Sequence, residues 1–172
     1  GDIFYKIYFE YKDGLKGYVD MLQQRVNQIN SEIQSKNRNQ RDISEELVCL
    51  SLIVNTLDYL SDTLSALQGK LKNSMTNEKL SKKIDLKDVQ EGKCDDLAAN
   101  TVKAISQVIT EKIGIVLDKE IPSCRRWNEN EQSGDRSSFL ASLKTILNHD
   151  IAIVHEVLVM SYHSLLNSQM SQ

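Results

Sequence analysis

The feature that most constrains this chain is the apolar spacing in its first forty residues. Large apolar side chains recur there at intervals of three and four residues: Phe4, Tyr8, Tyr11, Leu15, Tyr18, Leu22, Val26, Ile29 and Ile33. This spacing places them on one side of an α-helix, with polar residues on the other. Three later stretches show similar spacing, so the sequence predicts an all-α fold.

The pattern predicts four long helices, at about residues 2–36, 42–72, 85–122 and 137–165. A polar loop is expected over 35–41, and one short helical turn within 73–83. Further interruptions are expected near Gly92 and near Asn148–Asp150, while Pro122 should end or kink the third helix. Seven glycines and one proline leave few helix breakers. Short loops favour an elongated antiparallel helical bundle of the helical-rod type.

The chain is long enough for one domain with a sizeable core. The simplest organisation is a single helical-rod fragment over 1–172, and the alternative is two stacked sub-bundles with a break near 122–137. Leu57 lies midway along the second helix on its apolar stripe and is expected to be buried in the core of the bundle. Gly14 and Gly17 lie inside the first helix, where glycine is costly, and are tolerable if another helix packs close there.

Composition narrows the functional classes. The formal net charge of −3 argues against a general nucleic-acid binder, which needs a basic face. No apolar run approaches the roughly 20 residues of a membrane span. The three cysteines are odd in number and scattered, which favours a reducing cytosolic compartment. The chain also starts inside a helical pattern, which suggests a fragment whose upstream structure covers the apolar residues between Phe4 and Tyr11.

No catalytic, cofactor-binding or metal-binding set emerges from the motifs. His155 and Glu156 match the start of a zincin helix, but Val159 stands where the second histidine is needed. His155 and His163 are therefore interpreted as helix-surface residues, two turns apart on one face. Cys49 is expected in the core, and Cys94 beside a loop. The sequence predicts a protein that is not an enzyme.

Two surface features are candidate contact sites. The first is a cluster of basic residues that could face an anionic membrane: Lys79, Lys82, Lys83 and Lys87. The second is a candidate partner-binding surface at Arg125, Arg126 and Trp127, because Trp and Arg are enriched at binding hot spots. The other interpretations are a solvated face for the lysines and an end plug of the bundle for Trp127.

From about Glu46 onward the sequence resembles the C-terminal region of the vacuolar protein sorting-associated protein 53 family. The matching residues are 47–60, 64–71 and 84–86, then Trp127, followed by Gly134, Asp135, Arg136 and Ser137 and a helix that begins at Phe139 and Leu140. Trp127 and the Gly-Asp-Arg-Ser segment are the most specific part. The rest is helical periodicity, which many proteins share.

The resemblance implies a non-enzymatic subunit of the Golgi-associated retrograde protein (GARP) vesicle-tethering complex. It implies retrograde transport from endosomes, with peripheral location on the cytosolic face of trans-Golgi network and endosome membranes. The implied partners are the other complex subunits, with SNARE proteins or small GTPases as further candidates. It implies no cofactor and no nucleic acid. The alternatives are a coiled-coil scaffold or adaptor whose helices associate between chains, and a small helical enzyme with an unrecognised site.

Overall fold

A computed structural model describes residues 2–38, 42–124 and 136–171. These residues are mostly helical with no β-strand, which confirms the predicted all-α bundle. The α-helices are α1 (Asp2–Arg38), α2 (Ser44–Ser74), α3 (Glu78–Ser81), α4 (Lys87–Val89), α5 (Asp96–Cys124), α6 (Arg136–Thr145), α7 (Ala152–Val157) and α8 (His163–Met170). The elongated shape follows from α1, whose 37 residues span about 55 Å.

Helices α1, α2 and α5 form the centre of the bundle, and α7 and α8 cover α2 and α5. The ion pair between Lys36 and Glu46 (2.6 Å) joins the end of α1 to the start of α2, so these helices are antiparallel. Buried Ile, Leu and Val side chains from all four predicted helical stretches form one continuous core, as the sequence predicts. Leu57 is fully buried within it.

Two π-helical segments, Gln90–Asp95 and Ile146–Ile151, interrupt otherwise regular helices. The first joins α4 to α5, and the second joins α6 to α7. Both fall where the sequence predicts an interruption, near Gly92 and near Asn148–Asp150. In each case the helix widens for one turn and continues. A π turn bonds each residue to the fifth along, so it accommodates about one extra residue.

The predicted fourth helix also stops fully once, after α7. Leu158 and Val159 adopt extended backbone, and a 3₁₀ turn over Met160–Tyr162 leads into α8. Asn55 of α2 fixes this reversal by donating to the Val157 carbonyl (2.7 Å) and accepting from the Val159 amide (2.8 Å). A side chain 102 residues upstream therefore satisfies the backbone at the break.

Several predicted boundaries shift. Helix α1 continues to Arg38, so the loop predicted over 35–41 is shorter, although residues 39–41 lie outside the described part. Helix α5 ends at Cys124, two residues past Pro122. The short turn predicted within 73–83 is confirmed as α3, where the Asn77 side chain accepts from the amides of Lys79 and Leu80.

The face assigned to α1 is partly wrong. Its buried stripe consists of Tyr8, Leu15, Val19, Leu22, Val26, Ile29 and Ile33. Phe4, Tyr11 and Tyr18 are exposed, although their spacing fits the same helix face. No element packs closely on Gly14 or Gly17 either, since a Cβ added at each would meet nothing within 4 Å. The close helix packing that would make these glycines tolerable is therefore not met within the described structure.

Helix α2 is the one described helix whose length and mean hydropathy would allow it to cross a membrane. The expectation that no apolar run approaches a membrane span missed this helix, because polar residues interrupt its apolar ones. Within the bundle α2 lies at the centre, where its apolar side chains pack against α1, α5 and α7.

Candidate functional site

An uncovered apolar surface lies at the start of α1. Its members are large side chains that are 44–72% exposed: Ile3, Phe4, Ile7, Phe9 and Tyr11. Tyr5 and Phe9 pack edge to face, with ring centroids 4.8 Å apart. The first three turns of α1 are thus apolar around most of their circumference. Tyr8 is buried, but no described element covers Ile3, Phe4, Ile7, Phe9 or Tyr11, and we call these five residues the α1 apolar tip.

The four predicted lysines lie at the same end of the bundle, in the connection from α2 to α4. Lys79, Lys82, Lys83 and Lys87 are all exposed, as the sequence predicts for a solvent-facing cluster. Whether they contact a membrane stays a prediction. We call this group the α2–α4 lysine cluster.

Two contacts join this connection to α1. The Tyr8 hydroxyl donates to the Asp85 carbonyl (2.7 Å) and accepts from the Asp85 amide (3.1 Å). Lys12 donates to the same carbonyl (2.8 Å) and pairs with Asp88 at 2.7 Å. The lysine cluster and the α1 apolar tip are therefore held at one end of the molecule.

Asp88 is engaged by two lysines of α1, Lys12 (2.7 Å) and Lys16 (3.1 Å). Burial raises the pKa of Asp88, but the hydrogen bonds from Lys12 and Lys16 outweigh it, so the pKa lies below its usual value. The carboxylate is therefore ionised and already neutralised by α1. It does not cancel the charge of neighbouring Lys87.

The candidate partner surface at Arg125, Arg126 and Trp127 lies outside the described residues. The structure therefore neither supports nor excludes it. Gly134 and Asp135 of the family-like segment also lie outside the described residues. Arg136 begins α6.

At the opposite end, a polar cluster that the sequence did not predict joins the α1–α2 connection to the second π segment. The Ser44 hydroxyl donates to Asp42 (2.5 Å), and Ser44 Oγ lies 3.4 Å from His149 Nδ1. His149 Nδ1 lies 3.2 Å from Asp150 Oδ1. Lys112 of α5 pairs with the other Asp150 oxygen at 2.6 Å. Three separate chain segments therefore meet here.

This cluster can act as a hydrogen-bonded clasp. Asp150 is almost fully buried, and Lys112 compensates its charge. Hydrogen bonds from the Ser44 hydroxyl and amide lower the pKa of Asp42 below its usual value. Asp42, His149 and Asp150 also place one ligand atom each within 4.8 Å of one another, the donor set for a divalent transition metal. Lys112 already pairs with Asp150 and Ser44 already donates to Asp42, so both carboxylates have partners within the chain.

His155 and His163 are not the separate surface residues that the sequence predicts. Because the chain reverses between them, their rings meet edge to face at 4.6 Å and both are half-buried. His163 Nε2 lies 2.8 Å from the Leu158 carbonyl, which ties the pair to the break after α7. This contact gives the two histidines a structural role at the reversal.

Cys94 is buried inside the first π segment, which corrects its expected place beside a loop. Burial raises the pKa of its thiol to about 11, so the reactive thiolate is scarce at neutral pH. Burial, reinforced by Asp58, likewise raises the pKa of Tyr162 to about 12. Cys49 is partly buried against the core, close to its predicted place. Cys94, Tyr162 and Cys49 therefore contribute to the packing of the bundle.

No family model matches the chain, and comparison with curated proteins and with solved structures finds no significant similarity.

Proposed function

We propose that this chain is a non-enzymatic part of a multisubunit vesicle-tethering complex. The complex is the Golgi-associated retrograde protein complex, which the sequence resemblance implies. The full-length parent protein of this chain then acts in retrograde transport from endosomes, on the cytosolic face of trans-Golgi network and endosome membranes. Its direct partners are other subunits of that complex, and SNARE proteins or small GTPases are further candidates.

The structural observation that supports this proposal is the α1 apolar tip on an otherwise well-packed helical bundle. Ile3 is 72% exposed and Phe4 50% exposed, while the remaining α1 stripe is buried. Contiguous exposed apolar groups at a helix end are typical of interaction sites. A rod of long helices supplies length and surfaces, which tethering requires.

The direct test is affinity purification of the full-length parent protein from cells, followed by mass spectrometry. We expect the other GARP subunits to be recovered. A parent carrying Trp127→Ala should still assemble, because the resemblance attributes assembly to N-terminal coiled-coil regions, but should fail to restore retrograde cargo transport in depleted cells. A wild-type parent that recovers no GARP subunit and restores no transport would contradict the proposal.

A matched pair of variants examines the α1 apolar tip in the same transport assay. Phe4→Ser removes an exposed apolar side chain from the tip, whereas Leu52→Ser removes one of equal exposure (51%) from α2. Neither should destabilise the bundle appreciably. The tip variant should impair transport and the α2 variant should not. Equal effects would show that the tip has no special role.

A second candidate function is a scaffold that associates through α1. Ile3, Ile7, Tyr11, Tyr18 and Met21 are exposed and fall on one side of the helix, as in a coiled-coil seam. Sedimentation equilibrium of the 172-residue chain separates the two functions. A dimer that Ile7→Lys dissociates would favour the scaffold, and a concentration-independent monomer would exclude it.

A further inference from the structure

We propose that the α1 apolar tip and the α2–α4 lysine cluster together form a binding surface for anionic phospholipid membranes. The lysines contact headgroup phosphates, and the side chains of the tip enter the interface between headgroups and acyl chains. This inference does not depend on the tethering proposal, since it rests on the charges and exposed side chains of one end of the bundle.

Charge is distributed unevenly along the bundle. The segments that meet at this end, 2–16 and 68–88, contain nine lysines and six acidic residues, a net of +3. The whole chain has a net charge of −3, so the rest of the chain carries −6. One end is thus basic on an acidic molecule. Such asymmetry orients a protein with this end toward a negative surface.

The local acids reduce but do not cancel the charge of the lysine cluster, because segment 68–88 holds six lysines against Glu78, Asp85 and Asp88. Asp88 is neutralised by Lys12 and Lys16 of α1. Asp85 Oδ1 accepts a hydrogen bond from the Lys87 amide, which holds it at the start of α4. Lys79, Lys82 and Lys83 remain exposed to solvent. Their ammonium groups are therefore free to approach headgroup phosphates.

The α1 apolar tip supplies the second contribution. Ile3, Phe4 and Ile7 are each at least half exposed, and Phe9 and Tyr11 extend the apolar surface around the helix. Aromatic and aliphatic side chains beside lysines are the combination found in peripheral helices that lie in the membrane interface. A soluble protein partner could also cover such a tip, but the adjoining excess of lysines favours an anionic surface.

The test is co-sedimentation of the 172-residue chain with vesicles at low and high salt. Vesicles with about 30% phosphatidylserine in phosphatidylcholine provide the anionic surface. Vesicles of phosphatidylcholine alone provide the neutral control. We expect binding to the anionic vesicles only, and a strong reduction near 0.5 M salt, where the Debye length falls to about 4 Å.

Variants locate the surface. Lys82→Ala/Lys83→Ala should lower the partition coefficient at least about tenfold, since each lysine near an anionic leaflet contributes about fivefold. The control Lys103→Ala/Lys144→Ala removes the same charge from exposed lysines away from this end and should change binding less than about twofold. Phe4→Ser/Ile7→Ser should also weaken binding about tenfold without altering the net charge.

Each other outcome overturns the proposal. No preference for anionic vesicles would exclude the membrane surface. Equal losses from the two lysine pairs would indicate non-specific attraction, and full binding by Phe4→Ser/Ile7→Ser would show that the tip does not insert. If the chain does not bind vesicles but forms a dimer that Ile7→Lys dissociates, the α1 apolar tip serves self-association instead. Circular dichroism melts of every variant confirm that the bundle is intact.

Discussion

The two connections at the ends of α2 are built in opposite ways. At the α1–α2 connection the polar side chains contact one another: Asp42 and Ser44 meet His149, Asp150 and Lys112 of neighbouring elements, and Ile43 is fully buried. The α2–α4 connection buries Ile84 and Leu86 but turns four lysines outward, beside the uncovered α1 apolar tip. We call the end of the bundle at the α1–α2 connection the closed end, because side chains of this chain cover it. We call the end at the α2–α4 connection the open end, because its lysines and the α1 apolar tip face solvent.

This difference separates structural polar residues from candidate functional ones. A buried carboxylate such as Asp150 requires a partner, and Lys112 provides one within the chain. Exposed lysines require none, so their clustering at the open end is not explained by stability. Stability does not explain the positions of Phe4 and Ile7 either, because exposed side chains contribute little to the stability of the fold.

The largest expected effect contrasts two isoleucines. Ile43→Ala at the closed end should lower the free energy of unfolding by about 2–5 kcal/mol, because it leaves a cavity beneath the connection. Ile3→Ala at the open end should change it by less than about 0.5 kcal/mol. Urea denaturation followed by circular dichroism measures both. Similar losses would mean that the open end is covered in solution.

The next effect tests the clasp. Lys112→Ala removes the partner of buried Asp150 and should cost about 2–3 kcal/mol, less than a fully buried pair because the lysine is partly exposed. Lys82→Ala at the open end should be nearly neutral. Adding Asp150→Asn to Lys112→Ala should restore part of the loss. If it restores nothing, the unpaired charge is not the cause.

A smaller effect of opposite sign is expected on the open face of α1. Gly17→Ala should stabilise the chain by about 0.5–1 kcal/mol, because alanine favours helix and a Cβ there meets no atom within 4 Å. Gly69→Ala in α2 has the same open surroundings and serves as the control. Thermal melts would reveal both gains. A loss at Gly17 alone would mean that another surface packs against this face.

The smallest effect concerns pH and salt. Asp42 and Asp88 both have pKa values below the usual one, so each stabilises the fold above about pH 4, and this contribution is lost as pH falls through the lowered pKa. The difference in unfolding free energy between wild type and Asp42→Asn should vanish at low pH. The same holds for Asp88→Asn, but its difference should shrink more in salt, since lysines lower the pKa of Asp88 whereas hydrogen bonds from Ser44 are the main cause at Asp42. Equal salt sensitivity would contradict this assignment.

Periodicity predicted the fold because core packing depends on which residues are apolar and how they are spaced. It predicted the interruptions near Gly92 and Asn148, but not their π geometry. The buried residues Val89 and Cys94 are five apart, as are the core residues Ile146 and Ile151, and that interval is the signal that was available.

The sites were harder to predict. Spacing could not show that Phe4 and Tyr11 lack a covering element, since an exposed apolar stripe and a buried one can have the same spacing. The contact between His155 and His163 depends on the chain reversal at Leu158, which nothing in the local sequence indicates. The clasp brings together Ser44 and His149, 105 residues apart. The lysine cluster was predictable because its members are neighbours in sequence.

The π segments have an evolutionary consequence. Each one holds about one more residue than a regular turn, while the residues before and after it still face the core: Val89 before the first segment and Leu97 after it are both buried. Such a segment is what remains when a single-residue insertion is absorbed locally instead of rotating the whole downstream helix by about 100°. Relatives that lack a residue near exposed Gly92 should therefore keep the same core with a straight helix, and alignments of this region should place their gaps there.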